Sequence, residues 1–428
     1  MLTTAIILLL ILMAIGIPVA AVLFILAMVL DWWYLPAPLY NALSTQLWDT
    51  STSFILVAIP LFILIGEILL RSGIAAKVYE SLDSWLSWLP GGLMHANIGT
   101  STFFAATSGS SVATAATVGT VALPQALRFG YNDALFAGSI AAGGTLGILI
   151  PPSINLIIYG FLARTSIPQL FVAGIVPGLL LAALFMGIIL VVCLVRPEWG
   201  GTRRSSTMAA RLRNLRHLVP VLVLFGFIIG SIYTGWATPT EAAAVGMVIA
   251  LVLAWLHGGL SWRMLGHALE GTMRTTAMIM LILIVANFLN FILASAGLAN
   301  KLIEFIAAQQ LSPTETILLL VLMYVILGFF IETLSLMIVT IPFVTPLVAQ
   351  LGFDLVWFGI LLIVLIEMAL ITPPVGLNLY VVQGVRGRGS LTDVMVGSIP
   401  FAFMMLVMVG LLILFPGLAL FLPNLTAG

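Results

Sequence analysis

Two proline pairs embedded in apolar sequence are the groups in this chain best suited to chemistry. The first closes the run Gly143-Gly-Thr-Leu-Gly147-Ile-Leu-Ile-Pro151-Pro152-Ser153-Ile-Asn155, and the second stands in Thr372-Pro373-Pro374-Val-Gly376-Leu-Asn378. Proline has no N–H. Pro151 and Pro152 therefore deprive the Gly147 and Ile148 carbonyls of helical partners, as Pro373 and Pro374 do for Ala369 and Leu370. At membrane depth such backbone is tolerated only inside protein or beside a polar cavity. Freed carbonyls are hard oxygen ligands suited to a small cation, while the N-terminus of the half-helix that follows favours an anion. One break can thus serve a cation and a carboxylate together. A single break is usually a kink repaired by its neighbours; a matched pair is the transporter pattern.

Each break has a polar counterpart. Thr107-Ser108-Gly109-Ser110-Ser111 interrupts a Ser/Thr/Gly/Ala-rich stretch, and Glu332-Thr333 with Ser335 holds the corresponding place 222 residues on. Hydroxyls and carbonyls at a hairpin tip complete a cation shell. Small residues also allow close helix packing, which accounts for Ala113, Ala115 and Ala116 but not for Glu332. Other polar groups are weaker signals. Thr238-Pro239-Thr240-Glu241 reads as a capping box with proline at the first helical position, and Asp133 reads as a helix cap. Glu67, Glu367, Asn287 and Asn290 lie in apolar spans, where a polar side chain is by default a functional hypothesis. His95, His217, His257 and His267 lack ligand spacing. Gly143 to Gly147 is no nucleotide fingerprint without a preceding strand, and the chain has no P-loop.

The elements that position these groups follow from composition and repetition. Of 428 residues, 62% are hydrophobic and 7% charged, whereas a water-facing surface needs about a quarter of its residues charged. A spanning helix needs about 20 apolar residues, so roughly ten or more fit. Net charge is zero, which gives nucleic acid nothing to bind. Cys193 is the sole cysteine and excludes a disulfide framework; it reads as an inert core thiol. Met1 to Leu30 lacks a positive n-region and a cleavage site and reads as the first membrane segment, kinked or divided at Gly16 and Pro18.

Internal repetition is legible. Pro124 and Gly130 recur as Pro346 and Gly352, and Pro151-Pro152 as Pro373-Pro374, all 222 residues later. Gly174 and Pro177 match Gly397 and Pro400 at an offset of 223, and Gly73 and Lys77 match Gly297 and Lys301 at 224. The predicted fold is an all-α polytopic membrane protein of two inverted repeats, each with a re-entrant hairpin and a discontinuous helix. Residues 1–39 form an N-terminal scaffold segment. Repeat one, 40–195, holds a span near 54–70, an amphipathic arm at 77–89, a hairpin at 99–124, a broken helix at 131–160 and a span at 168–195. Residues 196–217 form a basic loop, and 218–259 hold two connecting spans near 218–234 and 241–256. Repeat two, 260–423, follows with 275–296, 300–310, 315–349, 354–382 and 395–422. Loop 196–217 contains six arginines, which places it in the cytoplasm. Threading outward from it puts 13 of 15 basic residues inside, leaving Arg164 and Lys301 outside. The two hairpins then open to opposite sides. Asp31, Asp49, Glu304, Glu315 and Asp354 make the outer face net acidic.

Several segments together resemble the large membrane subunit of tripartite ATP-independent periplasmic (TRAP) transporters. They are Ala237-Thr-Pro-Thr-Glu-Ala-Ala-Ala-Val-Gly246, the Ser108-Gly-Ser-Ser tip, Phe129-Gly-Tyr, Ile150-Pro-Pro-Ser153 and Thr372-Pro-Pro-Val-Gly376. The resemblance covers essentially the whole chain. It implies sodium-coupled uptake of a small organic acid, such as sialic acid or a C4-dicarboxylate, across a bacterial inner membrane. A soluble periplasmic substrate-binding protein would deliver the acid, and a separate small four-helix membrane subunit would support this one. It further implies elevator movement of the hairpin-bearing part, with sodium as coupling ion and no organic cofactor. By motif the family's sodium sites fall on Ser108, Ser110, Gly147, Pro152 and Ser153, and on Thr333, Thr372, Pro373 and Gly376. Gly109, Ser111, Asn155, Glu332 and Asn378 are candidates for substrate contact. A stand-alone sodium–anion symporter and a Ser/Thr-lined channel are the alternatives. No nucleophile–base pair or metal cluster points to an enzyme.

The threading makes a direct prediction. Cysteines placed at Arg211 and Arg213, in a Cys193→Ala background, should resist an impermeant thiol reagent added from the periplasm. Labelling from that side would invert the topology.

Overall fold

The computed structural model describes residues 1–202, 207–297, 304 and 309–426, without the side chains of 2, 3, 6, 10, 14, 106–108 and 426. It is all-helical among these residues. The chain opens with α1 (Leu2–Ala14), α2 (Val19–Tyr34) and α3 (Leu43–Ser51). There follow α4 (Ala58–Arg71), α5 (Ile74–Leu86), α6 (Gly92–Ser108), α7 (Ser111–Arg128), α8 (Asp133–Leu149), α9 (Ile154–Leu162) and α10 (Ile167–Val195). The middle holds α11 (Met208–Leu215), α12 (Val219–Tyr233), α13 (Pro239–Leu256) and α14 (Trp262–Ser295). The last part comprises α15 (Pro313–Gly328), α16 (Thr333–Gln350), α17 (Leu355–Ala369), α18 (Leu377–Arg386), α19 (Leu391–Leu414) and α20 (Gly417–Thr426). Among the described residues six helices are long and apolar enough to cross a membrane, or eight if two bent pairs each count as one span. This is a multi-pass membrane protein.

Each predicted break is a break. α1 and α2 part at Gly16, which has φ +83. α6 and α7 part at Gly109, whose φ of +56 reverses the chain at little cost only without a Cβ. α8 and α9 part at the proline pair and bend by 44°, and α17 and α18 part at the second pair. Both proline pairs carry a cis peptide bond. Two boundaries differ from those expected from the amino-acid sequence. The span expected at 275–296 belongs to α14, 34 residues long. At ~1.5 Å per residue it exceeds a ~30 Å hydrocarbon core, and its first turns carry Arg263, Glu270 and Arg274, which hid them from a hydropathy reading. The span expected at 395–422 divides at Pro416 into α19 and α20. The second arm, at 300–310, falls almost wholly outside the described residues.

Other expectations meet different partners. Asp133 does not cap α8; Asn132 does, its Oδ1 accepting from Leu135 N at 2.9 Å. Asp31, expected on the outer side, is buried, and its carboxylate accepts from the Leu39 and Tyr40 N–H groups at 3.0 and 3.1 Å. The Thr238–Glu241 capping box is present, the Glu241 carboxylate accepting from Thr238 N and Oγ1 at 2.8 Å. The arm α5 buries Val78 and Leu82 within the protein, with Leu82 against Gly99 of α6. Trp85 Nε1 donates to the Arg211 carbonyl at 3.1 Å.

At the centre stand α8 and α17, buried from Leu135 to Leu149 and from Val356 to Ala369. Apart from Glu367, α17 is apolar on every side, as a fully buried helix is. α8 is instead small-sided, so that backbones can reach it. A Cβ on Gly138 would overlap the Gly397 carbonyl of α19, and one on Gly397 would overlap the Ala134 carbonyl. Gly138→Ala should therefore push α8 from α19 and cost ~1–3 kcal/mol, as overpacked cores do. A thermal midpoint in detergent reads this. Gly410→Ala, on the same α19 with open space around it, should be neutral.

Candidate transport site

Hairpin one delivers its tip to the first helix break. Ser110 caps α7, its Oγ accepting from Ala113 N at 3.3 Å. The Ser110 carbonyl oxygen lies 3.0 Å from where a Gly147 Cβ would be, and Thr114 Oγ1 lies equally close. Gly147 is thus the residue that admits the tip. A Cβ on Gly109 would sit 3.5 Å from the Pro152 carbonyl oxygen. Ser153 caps α9, accepting from Leu156 N at 3.4 Å. Gly109, Ser110, Gly147, Pro152 and Ser153 therefore gather in one place, all but Ser110 buried. The Ser108 side chain lies outside the described residues. Asn155 is buried close by in sequence, and its Nδ2 has no partner among the described residues.

The second break is more open and more self-satisfied. Pro374 and Val375 are exposed and Thr372 and Pro373 half-buried, whereas 143–155 is buried throughout. Thr372 Oγ1 donates to the Met368 carbonyl at 2.6 Å. The Leu370 carbonyl, expected to be free, accepts from Asn378 N at 3.1 Å, because the chain turns back through Gly376 at φ +36. Glu332, a candidate for substrate contact, is the cap of α16. Its carboxylate accepts from Leu334 N, Ser335 N, Ser335 Oγ and Thr333 Oγ1 at 2.9–3.0 Å. Four donors occupy it, so its chemistry in this conformation is structural. No hydrogen bond joins Thr333 to Thr372 or Gly376 among the described residues.

Two of the hydrogen bonds that cross between the halves meet near the breaks. Ser111 Oγ donates to Glu367 Oε2 at 2.7 Å, and Asn378 Nδ2 donates to the Ala141 carbonyl at 3.1 Å. Gly144 makes both approaches possible: a Cβ there would lie 2.9 Å from the Ser111 carbonyl oxygen and 3.0 Å from Asn378 Nδ2. Glu367 Oε1 and Asn378 Oδ1 have no partner among the described residues. A buried polar atom left unpaired costs ~1–3 kcal/mol. Asn155, Glu367 and Asn378 each carry one such atom.

These positions can be set beside known proteins. The profile of the tripartite ATP-independent periplasmic transporter, DctM component, matches residues 6–418. The chain belongs to that family. It is 34% identical over 385 residues to the C4-dicarboxylate TRAP transporter large permease protein DctM of Pseudomonas aeruginosa, covering 90% of each chain. It is 32% identical over 394 residues to the sialic acid TRAP transporter large permease protein SiaM of Vibrio cholerae, covering 91% of this chain and 90% of that one. These relatives are named as permeases, and this TRAP large permease is a transport protein, not an enzyme. The crystal structure of the Alcanivorax borkumensis YdaH transporter, reported to have an unusual topology, matches with a TM-score of 0.61 at 16% identity. It covers 93% of this chain and 97% of that one, a likeness of fold alone.

Glu367 is one of four intramembrane polar groups that the amino-acid sequence alone does not rank. Of the others, Glu67 pairs with Arg71 at 2.8 Å, and Asn287 donates to Thr50 at 2.8 Å. A charge network went unforeseen. Arg386, its side chain 3% exposed, pairs with Asp133 and Asp393, and Arg388 pairs with Asp133 at 2.8 Å. The cation ends α18 while the acids begin α8 and α19, so each charge complements a helix dipole. The signal available in sequence was an Arg-rich helix end followed by Ser390-Leu-Thr-Asp393.

Ser111→Ala would strip Glu367 of its described partner and should lower stability by ~1–3 kcal/mol, read as a thermal midpoint. Glu367→Gln keeps a carbonyl oxygen that can accept from Ser111 and should retain most of that stability. Equal losses would show that the hydrogen bond is unimportant.

Proposed function

We propose that this TRAP large permease performs sodium-coupled uptake of a small organic acid across a bacterial inner membrane. The observation that carries the reading is the buried meeting of the Ser110 carbonyl with Gly147, beside Pro152 and Ser153. Carbonyl and hydroxyl oxygens there surround a place where Pro151 and Pro152 leave helical carbonyls unpaired. Such oxygens suit Na+, the transported ion, and they do not titrate near neutral pH. The N-terminus of α9 supplies a partial positive charge for a carboxylate. Ser108, Ser110, Gly147, Pro152 and Ser153 serve one sodium; Thr333, Thr372, Pro373 and Gly376 serve a second. Asn155, Asn378, Gly109 and Ser111 line the substrate path.

The two halves are inverted repeats, and the hairpins and broken helices move together as an elevator. The greater exposure of the second break than of the first fits a site open toward one side. A periplasmic binding protein supplies the acid and a small four-helix membrane subunit steadies the scaffold. Two relatives are named for C4-dicarboxylates and sialic acid, both carboxylates, and that class is the one read for this chain.

Proteoliposomes holding this chain, its small subunit and the binding protein should take up substrate only with an inward sodium gradient. Ser110→Ala and Thr372→Val should each raise the sodium needed for half-maximal uptake, by about tenfold for ~1.4 kcal/mol of lost coordination. Equal uptake in choline buffer under a pH gradient alone would overturn sodium coupling. Full uptake of free substrate without the binding protein would favour the stand-alone symporter.

A further inference from the structure

Away from the transport site, a pocket of about 400 Å³ lies at one end of the two connecting spans. Lys77 of α5, Arg216 and His217 at the bend between α11 and α12, and His257 at the C-cap of α13 make its polar rim. Val219, Val223, Leu253 and Leu256 make its apolar wall. Its depth in the membrane can be read from aromatic residues. α12 and α13 are joined by the short turn at 234–238, so the start of α12 and the end of α13 share one face. Tyr233 and Trp236 are exposed at the turn, and Trp255 and Trp262 at the pocket end. Exposed Trp and Tyr collect at the level of lipid headgroups. The rim therefore stands at headgroup depth, and the exposed Val219, Val223 and Leu256 face hydrocarbon.

The charges are unbalanced. Neither Lys77 nor Arg216 forms an ion pair among the described residues, although Arg71, Arg274, Arg386 and Arg388 all do. Arg216 Nε faces His217 Nε2 at 3.4 Å, a guanidinium beside an imidazole. His217 Nδ1 is buried without a described partner. Glu80 stands three residues from Lys77 on α5, and one carboxylate against Lys77 and Arg216 leaves the rim positive. Such a fork of donors suits phosphate oxygens.

We propose that this pocket binds one anionic phospholipid, its headgroup phosphate held by Lys77 and Arg216 and its acyl chains laid along Val219, Val223 and Leu256. Basic pockets between membrane helices are lipid-headgroup sites by the same physics. The lipid would tie α5 to α12 and α13, three elements that meet at this rim.

The test uses the full-length protein, delipidated in mild detergent and offered lipid in mixed micelles, with retained lipid read by native mass spectrometry. The wild type should hold one phosphatidylglycerol about tenfold more tightly than phosphatidylcholine. Diacylglycerol, which lacks the phosphate, should not be retained, a comparison that needs no variant. Lys77→Gln with Arg216→Gln should abolish the preference, Lys77→Arg with Arg216→Lys should keep it, and Arg263→Gln with Arg274→Gln should leave it unchanged. An undiminished preference in the first pair, or retention of diacylglycerol, would overturn the proposal. Displacement of phosphatidylglycerol by millimolar inorganic phosphate would also overturn it, assigning the pocket to a free anion.

Discussion

The close approach of other backbones to α8 is the constraint on which the rest of the structure depends. This helix is buried along nearly its whole length, yet its neighbours reach it with main chain and not with large side chains. At Gly138 it touches the backbone of α19, at Gly144 the hairpin and Asn378, and at Gly147 the Ser110 carbonyl. In a bilayer, association gains little from hydrophobic burial, because lipid is as apolar as leucine. Packing that brings backbones together, with a few interhelical hydrogen bonds, must supply the cohesion. The same glycines that let the helices pack also open the space in which carbonyl oxygens converge.

Polar groups inside this core are tied across elements distant in sequence. Ser111 reaches Glu367, Asn378 reaches Ala141, and Tyr159 donates to the Leu355 carbonyl at 2.7 Å. Each tie holds one broken helix or hairpin against another, so the breaks are stable although their own helical bonds are missing. At the rim Arg386 with Asp133 and Asp393 joins the ends of three helices.

The two breaks are alike in sequence and unlike in setting. The first is enclosed and meets its hairpin tip directly. At the second, Thr372 and Thr333 are bonded within their own segments, and Pro374 is exposed. Repetition of motif therefore does not impose identical surroundings.

Much of the architecture was legible in the amino-acid sequence, because its causes are local. Hydropathy marks helices that need lipid, and Pro151-Pro152 and Pro373-Pro374 must interrupt a helix wherever they fall. The spacing of matching landmarks reveals a recurring order of elements, and Thr238 with Glu241 forms its cap from residues three apart. Only the tertiary structure decided which groups face one another. Whether Glu332 is a ligand or a cap depends on where its carboxylate turns, and Asp133 left the capping role to Asn132 because two arginines more than 250 residues away draw its charge. Glu367 gained its significance from Ser111, at a sequence separation of 256. Long-range pairing depends on how helices pack, and packing depends on surfaces that no single segment carries.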